Sequence, residues 1–122
     1  MFDRVGGEAF FDELTRRFYR AVADDPVLRQ LYPEDADQFE EARRHLELFL
    51  IQFWGGPSKY NAERGEPRLR MRHAPFRIGQ LQRDAWVRHM TGAVRSMGLG
   101  PLDETQMIGY FTNAATAMIN SA

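Results

Sequence analysis

The sequence predicts an all-α domain. Three observations predict it: long segments with apolar residues every three or four positions, strong stops between them, and no run with strand-like alternation. At 122 residues the chain is expected to form one domain, 1–122, with a hydrophobic core that needs no staples. It has no cysteine, which excludes disulfides, thiolate nucleophiles, iron–sulfur clusters and thiolate zinc sites. A net charge of −1 argues against a general polyanion binder. No apolar run reaches the ~18 residues of a membrane span. The first residues lead into polar, acidic sequence and not into a signal-peptide core. The expectation is a cytoplasmic protein with no membrane span.

The first helix carries Phe11, Leu14, Phe18 and Val22 on one stripe and stops near Asp24-Asp25-Pro26. In the second, Phe39, Ala42, Leu46, Phe49, Leu50 and Phe53 make a wide apolar face, closed by Gly55-Gly56-Pro57. The third aligns Trp86, Met90, Ala93 and Met97 and ends before Gly98-Leu99-Gly100-Pro101. The fourth aligns Ile108, Phe111, Ala115, Met118 and Ile119, with Asp103 as its expected N-cap. Between the second and third lies Pro57 to Gln80, with little long-range periodicity. It holds Gly65, Pro67, Pro75, Lys59 and the arginines 64, 68, 70, 72 and 77. A structureless connection of that length inside a compact domain is uncommon and usually functional.

Within it stands Arg68-Leu69-Arg70-Met71-Arg72-His73-Ala74-Pro75-Phe76. Pro75 has no backbone N–H and biases Ala74 away from helical geometry, so a helix is expected to end near His73. The last carbonyls of such a helix lack intrahelical partners. One of them, that of Leu69 for example, can accept the Nδ1–H of His73 and leave Nε2 as an outward lone pair. A neutral histidine is prepared for a metal in this way. The plainer alternative is a surface histidine in a basic loop.

The other histidines point less clearly to a metal. His45 flanks the apolar face of the second helix as a rim residue, and His89 is expected to pack or pair with surface neighbours. Neither forms a zinc-type array with His73. There is no phosphate-binding glycine loop and no nucleophile elbow. A cofactor needing one protein ligand fits better, and haem with a single proximal histidine is such a cofactor. The chain has nine phenylalanines, four tyrosines and two tryptophans. Phe11, Phe18, Phe53 and Phe111 are expected to fill the core. Tyr19, Tyr32 and Trp86 differ, because each carries a donor that needs a partner if buried. Trp86 is central in its stripe, with no evident carboxylate partner, which hints at a polar ligand in the core.

These residues carry a resemblance. The chain resembles the truncated haemoglobins of the second group over essentially its whole length. The matching pieces are Val5-Gly6-Gly7, Arg17-Phe18-Tyr19, Leu31-Tyr32-Pro33-Glu34-Asp35, Phe53-Trp54-Gly55-Gly56-Pro57, Tyr60, Arg68 through Phe76, and Asp84-Ala85-Trp86. The resemblance implies a shortened globin fold, a two-over-two helical sandwich around haem b. By it, His73 is the iron ligand, and Tyr19, Tyr32, Leu46 and Trp86 form the distal pocket. Ala42 stands where many globins have a distal histidine. Arg72 and Tyr60 would meet the haem propionates, with His45 a third, and Leu50, Phe76 and Ile78 would contact the macrocycle. Glu66 departs from the family, which commonly has histidine there, and Pro33 to Glu40 is slightly longer than in close relatives.

The resemblance further implies binding of dioxygen, carbon monoxide and nitric oxide at a five-coordinate iron. With neutral phenol and indole donors, oxygen release should be slow, which suits oxygen or nitric oxide chemistry better than delivery. Nitric oxide dioxygenation would need an external reductase. Peroxidase-like activity ranks lower, because no distal histidine–arginine pair is evident. A haem-free helical module is the alternative from another class, its arginine run from Arg64 to Arg77 binding nucleic acid or an acidic partner.

Overall fold

The computed structural model describes residues 1–73 and 75–120. Ala74, which Pro75 was expected to hold out of helical geometry, and the side chain of Arg70 lie outside the described residues. Among the described residues eight helices follow one another: α1 Phe2–Val5, α2 Gly7–Ala23, α3 Pro26–Arg29, α4 Ala36–Phe53, α5 Lys59–Arg64, α6 Leu69–His73, α7 Gln80–Ser96 and α8 Pro101–Ala117. No strand occurs among the described residues. Long helices α2 and α4 pack as one pair and α7 and α8 as the other, with α2 against α7 joining the two layers.

The predicted α2 stripe is the centre of the core, while of the α4 stripe only Leu50 is buried. Phe11, Leu14, Phe18 and Val22 of α2 are fully buried against Met90, Val94, Met107 and Phe111. Helix α2 stops where Asp25 turns extended; its Oδ1 accepts the Val27 amide at 2.9 Å and caps α3, with Pro26 in the first turn. Asp35 caps α4 in the same manner, through Gln38 N–H at 3.0 Å. Past α4, Gly55 has φ 101°, a left-handed backbone that favours glycine. Gly56 allows close approach: a Cβ there would lie 2.6 Å from Ile51 Cγ2 and 2.7 Å from the Phe2 ring.

Helices α2 and α4 are also joined by a buried cation. Arg43 donates to Thr15 Oγ1 (2.9 Å) and Glu47 Oε1 (2.7 Å) through Nη1, and pairs with Glu40 through Nη2 (2.7 Å). Burial alone would lower this guanidinium's pKa, but the hydrogen bonds and charges of Glu40 and Glu47 outweigh it and the net shift is upward.

Three expectations are corrected. Asp103 does not cap α8: Gly100 is the N-cap and Pro101 opens the helix, while Asp103 accepts from Arg4 at 2.7 Å. Phe53 is not core. It is 48% exposed, its ring stacked on Tyr110 at 4.2 Å, because the neighbouring Trp54 takes the inward position at the helix end. The connection from Pro57 to Gln80 is not structureless, since it contains α5 and α6. These helices are too short to show a period in sequence. Tertiary tethers hold them: Gln52 exchanges two hydrogen bonds with Asn61 (2.9 and 3.0 Å), and Arg44 pairs with Glu63 (2.6 Å).

Candidate functional site

Between the layers lies a cavity of about 570 Å³, within the ~300–1,000 Å³ usual for small-molecule and cofactor sites. Every site residue singled out in the sequence lines it: Tyr19, Tyr32, His45, Leu46, Leu50 and Tyr60, then Arg72, His73, Phe76, Ile78 and Trp86. Ala42 lines it too.

His73 is the last residue of α6, and its Nδ1 lies 2.7 Å from the Leu69 carbonyl oxygen. A carbonyl can only accept, so Nδ1 carries the proton and Nε2 is left with its lone pair. This is the arrangement expected from the proline-stopped helix. His89 is turned elsewhere, with Nε2 2.6 Å from Asp25 Oδ2. His45 contacts Arg64 and lies 3.6 Å from Glu41. Burial first, then the Arg64 charge, lower its pKa, so it is neutral at pH 7.

Tyr19 comes from α2, Tyr32 from the turn after α3 and Trp86 from α7. Arg29 holds that turn by donating to the Tyr32, Pro33 and Glu34 carbonyls (3.4, 2.7 and 3.3 Å), with its guanidinium 4.1 Å over the Phe39 ring. The Tyr19 and Tyr32 rings meet edge to face at 5.4 Å, and Phe39 packs on both. Burial drives the Tyr19 phenol well above its ordinary range, and Tyr32 adds to the effect. Burial also raises Tyr32, against hydrogen bonding from Tyr19 and Trp86 that pulls the other way. Both phenols are therefore neutral donors at pH 7. Trp86 is half-buried, and not fully enclosed as its stripe implied, because its ring faces the cavity.

At the mouth, Arg72 donates from Nε to the Pro67 carbonyl (2.7 Å) and from Nη2 to the carbonyls of Arg64 (2.8 Å) and Glu66 (3.4 Å). Among the described residues its Nη1 has no partner, so one N–H edge is left for an anion. Tyr60 is buried beneath it, its ring 5.8 Å from the Arg72 guanidinium carbon. Arg64 and Tyr110, which also line the cavity, were not foreseen in the sequence. Arg64 was visible only as one member of a basic run, and Tyr110 falls between two apolar stripe positions.

The bacterial-like globin family matches residues 1–120. The chain is 36% identical over 114 residues to the group 2 truncated hemoglobin YjbI of Bacillus subtilis (strain 168), covering 93% of this chain and 84% of that protein. Its fold matches the X-ray structure of a thermostable hemoglobin from the actinobacterium Thermobifida fusca with a TM-score of 0.94. The identity there is 50%, with 98% of this chain and 95% of that one covered. The X-ray structure of a truncated oxygen-avid haemoglobin from Bacillus subtilis matches with a TM-score of 0.89 at 34% identity, with 98% of each chain covered.

Two helix pairs around a cavity lined by an imidazole of fixed tautomer and by phenol and indole donors match the globin class in its shortened form. The chain belongs to the bacterial-like globin family and is a truncated hemoglobin of the second group. Membership implies a haem cofactor, and the residues fit it. The cavity walls are mainly apolar, the only imidazole with a backbone-fixed tautomer among the described residues lines it, and a guanidinium edge of Arg72 is left over.

Proposed function

We propose that the chain holds haem b through His73 alone and binds diatomic gases on the opposite side, releasing dioxygen slowly. The observation that carries this reading is the His73–Leu69 hydrogen bond, at 2.7 Å, in a cavity also lined by Tyr19, Tyr32 and Trp86. Bound haem b would supply a ferrous iron with affinity for diatomic gases and would draw negative charge onto the gas. The protein's part follows from its own donors. A phenol has one proton and two acceptor sites. Tyr19, Tyr32 and Trp86 line the cavity, and each carries one side-chain proton that can be given to the gas. Hydrogen bonds to a charged acceptor contribute roughly 1.5–3 kcal/mol each. Two donors would thus slow dissociation by about 10²–10⁴ if their effects add.

Leu46 and Leu50 of α4, with Phe76 and Ile78 beyond α6, supply apolar walls for the macrocycle. Arg72, Tyr60 and His45 take the propionates, Arg72 being pre-set by the loop carbonyls it holds. Carbon monoxide and nitric oxide fit the same pocket. Slow release suits oxygen or nitric oxide chemistry, with electrons from an external reductase, better than delivery. The oxygen avidity named for the Bacillus subtilis relative points the same way. The basic segment is largely engaged within the fold, Arg72 by carbonyls and Arg64 by His45, which weighs against nucleic acid as its partner.

The test is the absorption spectrum of the purified protein, oxidised, reduced and reduced with carbon monoxide. A five-coordinate high-spin ferrous spectrum that shifts with carbon monoxide is expected. No haem bands after reconstitution would overturn the reading.

A further inference from the structure

The turn that follows His73 is held by a residue from the far end of the described chain. Asn120, just past α8, donates its backbone amide to the Ile78 carbonyl (2.8 Å) and accepts the Ile78 amide at Oδ1 (2.8 Å). Its Nδ2 donates to the carbonyls of His73 (3.2 Å) and Phe76 (2.9 Å). The His73 carbonyl also accepts the Phe76 amide at 3.0 Å, which closes the turn. Ile78 is buried and lines the cavity.

Helix α6 has five residues, far fewer than a helix needs to persist alone. Its direction is therefore set by tethers at its two ends. Arg72 supplies the first by gripping the carbonyls of Arg64, Glu66 and Pro67. Asn120 supplies the second, and it does so at the carbonyl of His73 itself.

We infer that Asn120 is a positioning residue for the iron ligand: its carboxamide fixes the His73 carbonyl and the Ile78 backbone, and thereby the direction in which Nε2 is presented. The inference rests on His73 as the haem ligand. The side-chain chemistry is specific. Only a carboxamide accepts from one amide while donating to two carbonyls. Aspartate keeps the acceptor for Ile78 but sets a carboxylate against the carbonyls of His73 and Phe76, and leucine keeps neither function.

The experiment uses the haem-loaded protein and its Asn120→Asp and Asn120→Leu variants, with Asn113→Ala, exposed on α8, as control. Resonance Raman of the reduced protein reads the iron–histidine stretch, and transfer to an acceptor globin reads haem loss. Both Asn120 variants are expected to lower and broaden the iron–histidine band and to lose haem about three- to tenfold faster. Asn113→Ala should change neither. Asn120→Asp, which keeps one native bond, carries the test if Asn120→Leu does not fold. A wild-type band in a folded Asn120 variant overturns the inference, even if that variant melts at a lower temperature. A separate His73→Gly variant that keeps the wild-type band would instead overturn the ligand assignment.

Discussion

Asp25 and His89 join the α3 segment that leads to Tyr32 with the helix that carries Trp86. Asp25 Oδ2 lies 2.6 Å from His89 Nε2, while Oδ1 accepts the Val27 amide and caps α3. The turn after α3 bears Tyr32, and α7 bears both His89 and Trp86. The pair therefore ties the start of the segment bearing Tyr32 to the helix bearing Trp86. Hydrogen bonding to His89 first, then the capped Val27 amide, holds the Asp25 carboxyl below its ordinary range against the opposing effect of burial.

Loss of this link should be visible in both stability and ligand release. Asp25→Ala removes the cap and the His89 partner together, so its melting temperature is expected to fall and its oxygen release to quicken. Asp25→Asn keeps an oxygen for Val27 and should melt between the two. Stopped-flow oxygen release and thermal unfolding on the same samples check this. Unchanged release in Asp25→Ala would separate the link from the distal pocket.

His73→Gly should lose the normal haem spectrum, and added imidazole should restore it. His45→Ala and His89→Ala should both retain the cofactor, because one imidazole faces Arg64 and the other Asp25. Haem titration followed by absorbance decides between them. Loss of haem in His45→Ala or His89→Ala with His73→Gly intact would move the ligand.

Trp86→Phe removes an indole donor and keeps most of the ring, which avoids the cavity that alanine would leave. Oxygen should leave the ferrous protein at least about tenfold faster, equivalent to ~1.4 kcal/mol. Tyr19→Phe and Tyr32→Phe should act in the same direction. Their pairs with Trp86→Phe should be non-additive where the donors share one ligand oxygen. Carbon monoxide, which carries less negative charge, should respond less. Equal responses of the two gases would point to steric gating.

The phenols also fix a pH dependence. Tyr19 and Tyr32 are both raised by burial, so the folded state holds their protons more tightly than the unfolded chain does. Their contribution to stability is whole below the ordinary phenol range and is lost as pH climbs from about 10 through the folded values. Oxygen release should be flat between about pH 6 and 9, and the melting temperature should drop above about pH 10. A titration of release in the neutral range would assign the donor to another group.

Arg72→Ala and Tyr60→Phe should hasten haem loss modestly, by about 1 kcal/mol or less near solvent. Arg72→Ala is expected to have the larger effect, because it also frees the carbonyls of Arg64, Glu66 and Pro67. Transfer rates to an acceptor globin measure both. Wild-type rates in the two variants would place the propionates elsewhere.

The helices with two or more apolar turns were legible in the sequence because burial enforces a 3.6-residue repeat, as in Phe11, Leu14 and Phe18. Their ends were legible where the stop is chemical, as at Pro26 or Gly55-Gly56-Pro57. Helix α5 was not, since its tethers Gln52 and Arg44 lie on α4; of α6 only the end at His73 was legible, from Pro75. Asp103 shows the same limit: a good capping residue was drawn away by Arg4, and Pro101 opened the helix earlier. The fixed tautomer of His73 was readable because its acceptor, Leu69, lies one turn back. The role of Asn120 was not, because nothing local distinguishes a single asparagine placed 47 residues from its histidine.

The Arg43 cluster bears on how this pocket can be re-engineered. Thr15, Glu40 and Glu47 converge on one guanidinium that pins α4 to α2, while Ala42 and Leu46 of the same helix look into the cavity. A helix fastened along one edge resists yaw when its opposite edge is reshaped. Bulk added at Ala42 or Leu46 is therefore spent on narrowing the cavity, with the backbone acting as a stationary rail.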